Sequence, residues 1–299
     1  LEGKKWMPAL LTPTERGLLE DATNRKGIVR FKDVASVDVG IVTGANDFFL
    51  VSDRVVKQYD LTQWSHPMFG RSAHARGVLF TEADLAENKA RGWPTHFLWF
   101  KDCSPGSLPP GLRAYIAVGE QQALHLRYKC KVRTPWYEVP SVYSARVGLP
   151  KRCHNFPRLI LNEMRVLTTD TCYRIVPEKI AAGEIVANFV NSLTALSAEL
   201  EGRHYGGGVL ELVPSEIERL LIPTYSTSTE RLRTLDSDIR SSLRVEELFE
   251  HQDRLLLSKT GFSVQEQGTL FSAYTRLRDR RQRVPISSLS DSSDDLQLE

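Results

Sequence analysis

The chain has 299 residues, 41% of them hydrophobic and 25% charged, with a formal net charge of +2. That balance supports a sizeable core and excludes a chain disordered throughout. Its apolar runs, such as residues 159–161, are too short to span a bilayer, and the first residues lack a signal-peptide pattern.

Cys103, Cys130, Cys153 and Cys172 form no CxxC pair, and no histidine pair has zinc-finger spacing, so no metal site is expected. The thiols read as reduced, in a cytoplasmic protein without membrane contact. The sequence begins Leu1-Glu2, which suggests a piece of a longer protein; Met7 as a start is the competing reading. Charge is uneven: Lys and Arg outnumber acids over residues 127–174, whereas residues 286–299 carry acids and no base. A local basic field with a small total points to a binding surface on one side.

In chain order, Thr12-Pro13-Thr14-Glu15 opens a short helix through Leu18 and Leu19, stopped by a turn at residues 24–27. Residues 34–51 read as a hairpin, V-A-S-V-D-V-G-I-V and D-F-F-L-V, joined by a turn holding Thr43, Gly44 and Asn46. The glycines there lack the GxxxxGK[ST] pattern of a phosphate loop. Residues 69–77 form a basic loop with Arg71, His74 and Arg76. It is either a solvated surface loop or one that enters a nucleic-acid groove, where Arg71 or Arg76 presents a bidentate fork to guanine. Thr81 is placed to cap a helix through Leu85, and residues 97–100 and 113–118 read as strands.

Residues 124–133 alternate without a slip, with Leu124, Leu126, Tyr128, Cys130 and Val132 on one side and His125, Arg127, Lys129, Lys131 and Arg133 on the other. As a strand, this segment would put the first set in a core and line the second up as an acid-free cationic row. Such a row suits an anionic polymer; the alternative is an aggregation-resistant edge strand, or a face neutralised by acids from elsewhere. Trp136 and Tyr137 follow Pro135 and either stack on an exposed base, a contact worth about 1–3 kcal/mol per base, or close a core end.

Residues 158–175 read as a second hairpin, and residues 177–200 as one long helix with an apolar stripe through Ile185, Phe189, Leu193 and Leu196, closed by Gly202. Gly206-Gly207-Gly208 precedes a strand, the wrong order for a dinucleotide fingerprint, and fits a turn that lets backbone approach another segment closely. A capping box at residues 215–218 opens another helix. Past Pro223 come charged helices, the last ending in Arg278-Asp279-Arg280-Arg281-Gln282-Arg283, which either touches phosphates or offsets the helix dipole. The acidic end is expected to be disordered.

Four stretches go beyond pattern: Val39-Gly40-Ile41-Val42-Thr43-Gly44-Ala45-Asn46-Asp47-Phe48-Phe49; Lys131-Val132-Arg133-Thr134-Pro135-Trp136-Tyr137-Glu138-Val139-Pro140; Asn191-Ser192; and Gly206-Gly207-Gly208-Val209-Leu210-Glu211-Leu212-Val213-Pro214. In this order they resemble the C-terminal, target-recognition half of adenine-N6 DNA methyltransferases from bacterial restriction-modification systems, over roughly residues 30–223. The resemblance implies an α+β fold: a mixed, largely antiparallel sheet with a long buried helix, followed by a small helical appendage. Expected boundaries are an arm at 1–30 from the missing catalytic half, a recognition domain at 31–223, helices at 224–284 and a disordered tail at 285–299.

The methyltransferase motifs themselves are missing. No Asn/Asp-Pro-Pro-aromatic tetrapeptide occurs, since Pro109-Pro110 stands between Leu108 and Gly111, and no strand is followed by the glycine turn that binds S-adenosylmethionine. No residue is therefore expected to be catalytic; the cofactor and the methylation belong to the absent half, and this chain alone should bind double-stranded DNA without methylating it. The expected contacts are Arg71, His74, Arg76, Arg127, Lys129, Lys131, Arg133, Trp136 and Tyr137. Partners would be DNA and a catalytic domain or restriction subunit. The alternative is a DNA-binding or nuclease-associated module that docks a partner subunit through its C-terminal helices. A nuclease would need clustered carboxylates around magnesium, and only Glu87-Asn88-Lys89 hints at that.

Overall fold

β-branched segments far apart in the chain build the central sheet. The computed structural model describes residues 7–283, so the expected tail at 285–299 lies outside the described residues. Five strands line up in the order Ala35–Asp38, Cys172–Pro177, Val147–Pro150, Ile160–Asn162 and Leu79–Phe80. All neighbours are antiparallel except the last pair, which is parallel. Val147 to Pro150 and Ile160 to Asn162 are buried at every position, as strands covered on both faces must be.

Neither expected hairpin forms. Ala35–Asp38 pairs with Cys172–Pro177, while Leu50–Val51 joins a separate three-stranded sheet with His96–Leu98 and Ser65–Pro67. Between them Gly40 lies so close to the backbone of Thr169 that a Cβ would fall 1.9 Å from its carbonyl oxygen, and residues Asn46–Phe49 coil into a helical turn. In the second case Val147–Pro150 inserts between the two presumed hairpin strands. Strands of suitable composition were identifiable locally; their partners were set by non-local packing.

The expected long helix is two, Ala182–Asn188 and Ser192–Glu201. Asn191 has an extended backbone, and its side chain accepts from the Thr194 amide at 2.9 Å, capping the second helix and ending the first. That second helix is buried over Ser192 to Leu200. The segment expected as a strand at 113–118 belongs instead to a helix, Pro110–Gln121, begun by Pro110 in its first turn and burying Leu112, Tyr115, Ile116 and Gly119 at helical spacing. Thr12 and Thr81 both cap helices as expected, with Glu15 and Asp84 completing the boxes.

Two hydrophobic clusters dominate. One joins the sheet, the buried helix and the C-terminal helices Thr229–Arg240, Val245–Leu256 and Val264–Gln282, through Val147, Ile175, Leu193, Leu235, Phe249 and Tyr274. The C-terminal helices thus spend their apolar faces inside the chain's own core. The other cluster is aromatic, around Phe48, Phe49, Phe97, Phe100 and Tyr115. Phe48 stacks on Tyr115 with centroids 4.6 Å apart and leans on Trp136 at 5.1 Å. Gly119 makes room for both: a Cβ there would lie 2.6 Å from Trp136.

The basic end of the last helix turns inward at Arg281. Fully buried, it bonds the equally buried Glu199 carboxylate at 2.7 Å and the His154 carbonyl at 2.7 Å, tying that helix to the buried helix and to the loop that follows Arg152–Cys153. Replacing Arg281 by Ala leaves the buried Glu199 carboxylate, among the described residues, with only His204 beside it, at 3.2 Å, and should cost up to about 3–5 kcal/mol. Urea denaturation would show this as a lower midpoint, and an unchanged midpoint would contradict the pairing.

Candidate nucleic-acid interface

The stretch expected as a cationic strand is a helical knob. After Pro110–Gln121, Ala123 adopts a left-handed backbone (φ 55°) that turns the chain. A 3₁₀ turn, Leu124–Leu126, and a single α-turn, Tyr128–Lys131, follow. Residues 124–131 contain no β-branched side chain, so the strand reading rested on alternation alone, and one helical turn satisfies the same residues. Leu124 and Cys130 point inward, at 3% and 0% exposure, while Leu126, Tyr128 and Val132 stand out at 64%, 70% and 67%. Three of the five residues of the expected core face are therefore solvent surface.

The cations do not form a flat row. Arg127, Lys129 and Lys131 are exposed and make no ion pair among the described residues, and the two lysine Nζ atoms lie 5.6 and 5.9 Å from the Tyr128 ring centroid. Arg133 is different. Its two terminal nitrogens donate to the carbonyls of Thr43 and Val42, both at 2.7 Å. Burial holds its guanidinium below the usual arginine pKa. It is a strut beneath the knob, not part of the open cationic surface.

The turn around Thr43 is shaped to receive the knob. Gly44 has φ +80°, and a Cβ there would sit 2.7 Å from the Lys129 Cβ, so only glycine permits this approach. The Thr43 hydroxyl donates to Asn46 Oδ1 at 2.5 Å and accepts from the Ala45 amide, and Asn46 in turn donates to Asp170 at 3.2 Å. Thr43, Gly44 and Asn46 are thus brought together with Lys129 and Arg133, though they were read separately from the sequence.

Beside the knob runs a groove of about 420 Å³ lined by Val39, Val42, Lys129, Val132, Arg133 and Arg174. Arg174 was not singled out in the sequence, because in a strand pattern it is one more alternating residue. It is 4% exposed, donates to the carbonyls of Val39 (2.7 Å), Tyr143 (3.3 Å) and Ser141 (3.4 Å), and lies 3.3 Å from the Tyr143 ring centroid. Its Nε is buried without a hydrogen-bond partner. Asp38, the nearby acid, accepts from the Tyr143 hydroxyl and forms no ion pair with Arg174. The groove wall therefore carries two arginines hydrogen-bonded to backbone carbonyls instead of carboxylates, so their charge is not cancelled.

Other expected contact residues lie elsewhere or are spent internally. Trp136 is half-buried against Phe48 and donates to Glu120 at 3.3 Å; Tyr137 is buried, its hydroxyl bonded to the Cys103 carbonyl at 2.9 Å. Both close the aromatic core, and neither offers a free face for a base. His74 is buried, accepts from the Gly70 amide at 3.3 Å and stacks on Trp93. Burial, with Arg71 adding repulsion, lowers its pKa to about 4, so it carries no charge at neutral pH. Arg76 is exposed and paired with Glu87 at 3.3 Å, and Arg71 is exposed beside a small cavity shared with Asn46. Arg158, also missed, holds this loop by donating to the carbonyls of Ser72, Ala75 and Gly77.

Gly206-Gly207-Gly208 makes a tight turn between Arg203–Tyr205 and Val209–Glu211, with φ +80° at Gly207 and +72° at Gly208. Gly208 approaches the last helix, where a Cβ would lie 3.1 Å from Gln282 Cα, and its carbonyl accepts from Arg281. The close approach is to the chain's own backbone, away from the knob. These glycines do not fit S-adenosylmethionine: Gly40 is packed against Thr169, and the triplet joins two strands, not a strand and a helix. Among the described residues no cluster of His, Cys, Asp or Glu could hold a metal ion, and no helix is long and apolar enough to cross a membrane.

An α+β chain presenting a knob and groove rich in cations is a candidate polyanion-binding domain, and comparison with known proteins places it more closely. Residues 3–257 match the C-terminal domain of type II methyltransferase M.Eco57I, and the chain belongs to that family. It is 25% identical over 200 residues to the type II methyltransferase M.AccI of Acinetobacter calcoaceticus, covering 65% of this chain and 36% of that protein. The type IIG restriction endonuclease BpuSI shares the fold, with a TM-score of 0.55 and 15% identity over 92% of this chain and 33% of BpuSI. The type IIL restriction-modification enzyme MmeI, solved in complex with DNA, superposes with a TM-score of 0.37 at 12% identity, over 85% of this chain and 34% of MmeI. The chain spans about a third of the length of these relatives. The expected kinship with the C-terminal part of restriction-modification methyltransferases therefore holds.

The His74 environment gives a pH test. Its folded pKa of about 4 lies below the ordinary 6.5, so between those values the unfolded chain binds the proton more readily. The His74 contribution favours the folded state fully above about pH 6.5 and is lost as pH falls toward 4. NMR titration should show the His74 ring protonating near pH 4; a midpoint near 6.5 would place it in solvent.

Proposed function

We propose that this chain is the DNA target-recognition part of a site-specific adenine-N6 DNA methyltransferase of a restriction-modification system, acting in the cytoplasm. The catalytic half that binds S-adenosylmethionine would lie outside this chain. The observation that carries the reading is the acid-free cationic knob beside a groove walled by Arg133 and Arg174, in a chain of the M.Eco57I C-terminal family. Exposed Arg127, Lys129 and Lys131 would neutralise phosphates and set the register on the duplex. Arg71, exposed beside Asn46, is placed to read a base edge from the neighbouring loop. Adenine as the target base rests on the resemblance of the four motif stretches, and a flipped base would be held between this domain and its catalytic partner.

The burial of Leu235, Phe249, Leu270 and Tyr274 in the core weighs against docking through the C-terminal helices. With phosphate contacts at both positions, Lys129→Ala together with Lys131→Ala should weaken binding to all duplexes alike. The salt dependence of log affinity should flatten by roughly one unit of slope per lysine. Fluorescence anisotropy with a labelled duplex at several salt concentrations measures this. Equal slopes for the variant and the parent chain would remove the knob from the interface.

A further inference from the structure

We infer that Tyr128 is a base-contacting wedge: its ring stacks on a nucleobase while Lys129 and Lys131 take the flanking phosphates. The inference rests on the DNA-recognition reading and assigns a specific contact within it.

Tyr128 is 70% exposed at the tip of the knob, between Leu126 and Val132, which are almost as exposed. Three large apolar side chains protruding within seven residues form a patch of the kind that marks a contact surface. Its hydroxyl has no hydrogen-bond partner among the described residues, and the ring is covered by no other aromatic side chain; only the Lys129 and Lys131 ammoniums stand over it, 5.6 and 5.9 Å from its centroid, held by a cation–π attraction that phosphates can replace. Cations around an apolar aromatic tip match a nucleic acid, which offers a charged backbone and a stackable base side by side; an apolar protein surface would leave the lysines unpaired.

The presentation is rigid. Cys130 is fully buried beneath the ring's helical turn, Gly44 leaves room for the Lys129 Cβ where a Cβ of its own would come within 2.7 Å, and Arg133 pins the far end to Val42 and Thr43. Little backbone freedom remains to be lost on binding, so more of the stacking energy is realised as affinity. Trp136 and Tyr137, the aromatic residues with the stronger sequence signal, are excluded from this role by their burial.

The test compares the full chain with Tyr128→Ala, Tyr128→Phe and Tyr128→Trp on a 30-bp duplex carrying 5-bromodeoxyuridine. Tyr128→Ala should bind roughly tenfold more weakly with an unchanged salt slope, because the lysines remain, while Phe and Trp retain affinity. Irradiation should crosslink the peptide that contains Tyr128, and the crosslink should vanish in Tyr128→Ala. Thermal melting should be the same for all four proteins, since the side chain is exposed. Affinity of Tyr128→Ala within twofold of the parent chain, with crosslinks elsewhere, overturns the wedge but leaves DNA binding standing, and would be the outcome if the knob docks on protein. No duplex binding by the parent chain overturns both.

Discussion

Carbonyl groups, and not carboxylates, hold the buried arginines of this surface. Arg133 donates to Val42 and Thr43, Arg174 to Val39, Ser141 and Tyr143, and Arg158 to Ser72, Ala75 and Gly77. A carbonyl dipole satisfies a guanidinium's hydrogen bonds without cancelling its charge. The elements are thereby fastened together while positive potential remains on the outside, where Arg127, Lys129 and Lys131 add to it. Elsewhere the same residue types are neutralised in place: Arg281 by Glu199, Arg240 by Asp84 and Asp236, Arg276 by Glu15.

That contrast divides the molecule. The half built from the buried helix and the C-terminal helices is stabilised by paired charges and a large aliphatic core, which suits a platform. The aromatic cluster around Phe48 carries the knob through Leu124 and Cys130, and the hydrogen bonds of Arg133 fasten it to a short stretch, Val39 to Asn46. Gly44 is where that stretch meets the knob most closely, since any side chain there would push Lys129 away. A cationic tip held on such a platform would suit the proposed recognition of a stiff polyanion, since backbone order already present need not be acquired on binding.

Much of the local structure was legible. Helix starts at Thr12 and Thr81 could be read because capping is a contract between neighbours three residues apart. The basic character of residues 127–133 and the special role of Thr43 and Gly44 were also visible. What misled was periodicity at short range. Ten residues alternate perfectly at 124–133 as a strand would, yet residues 124–131 hold no β-branched side chain and the segment coils, turning Tyr128 from an expected core residue into the most exposed aromatic of the region. Burial of Trp136, Tyr137 and His74 was equally hidden, because what covers them comes from Phe48, Cys103 and Trp93, distant in sequence or unremarkable in pattern.

By itself the sequence determined the composition of a mixed α and β domain, the sites where helices begin, the concentration of cations near its middle, and membership in a methyltransferase-associated family. Only the tertiary structure decided which strands pair, since hydrogen-bond partners such as Ser36 and Val176 are separated by most of the domain. It alone decided which arginines are struts and which face solvent. The physical reason is that burial and charge compensation depend on where distant segments meet, and no local pattern encodes that meeting.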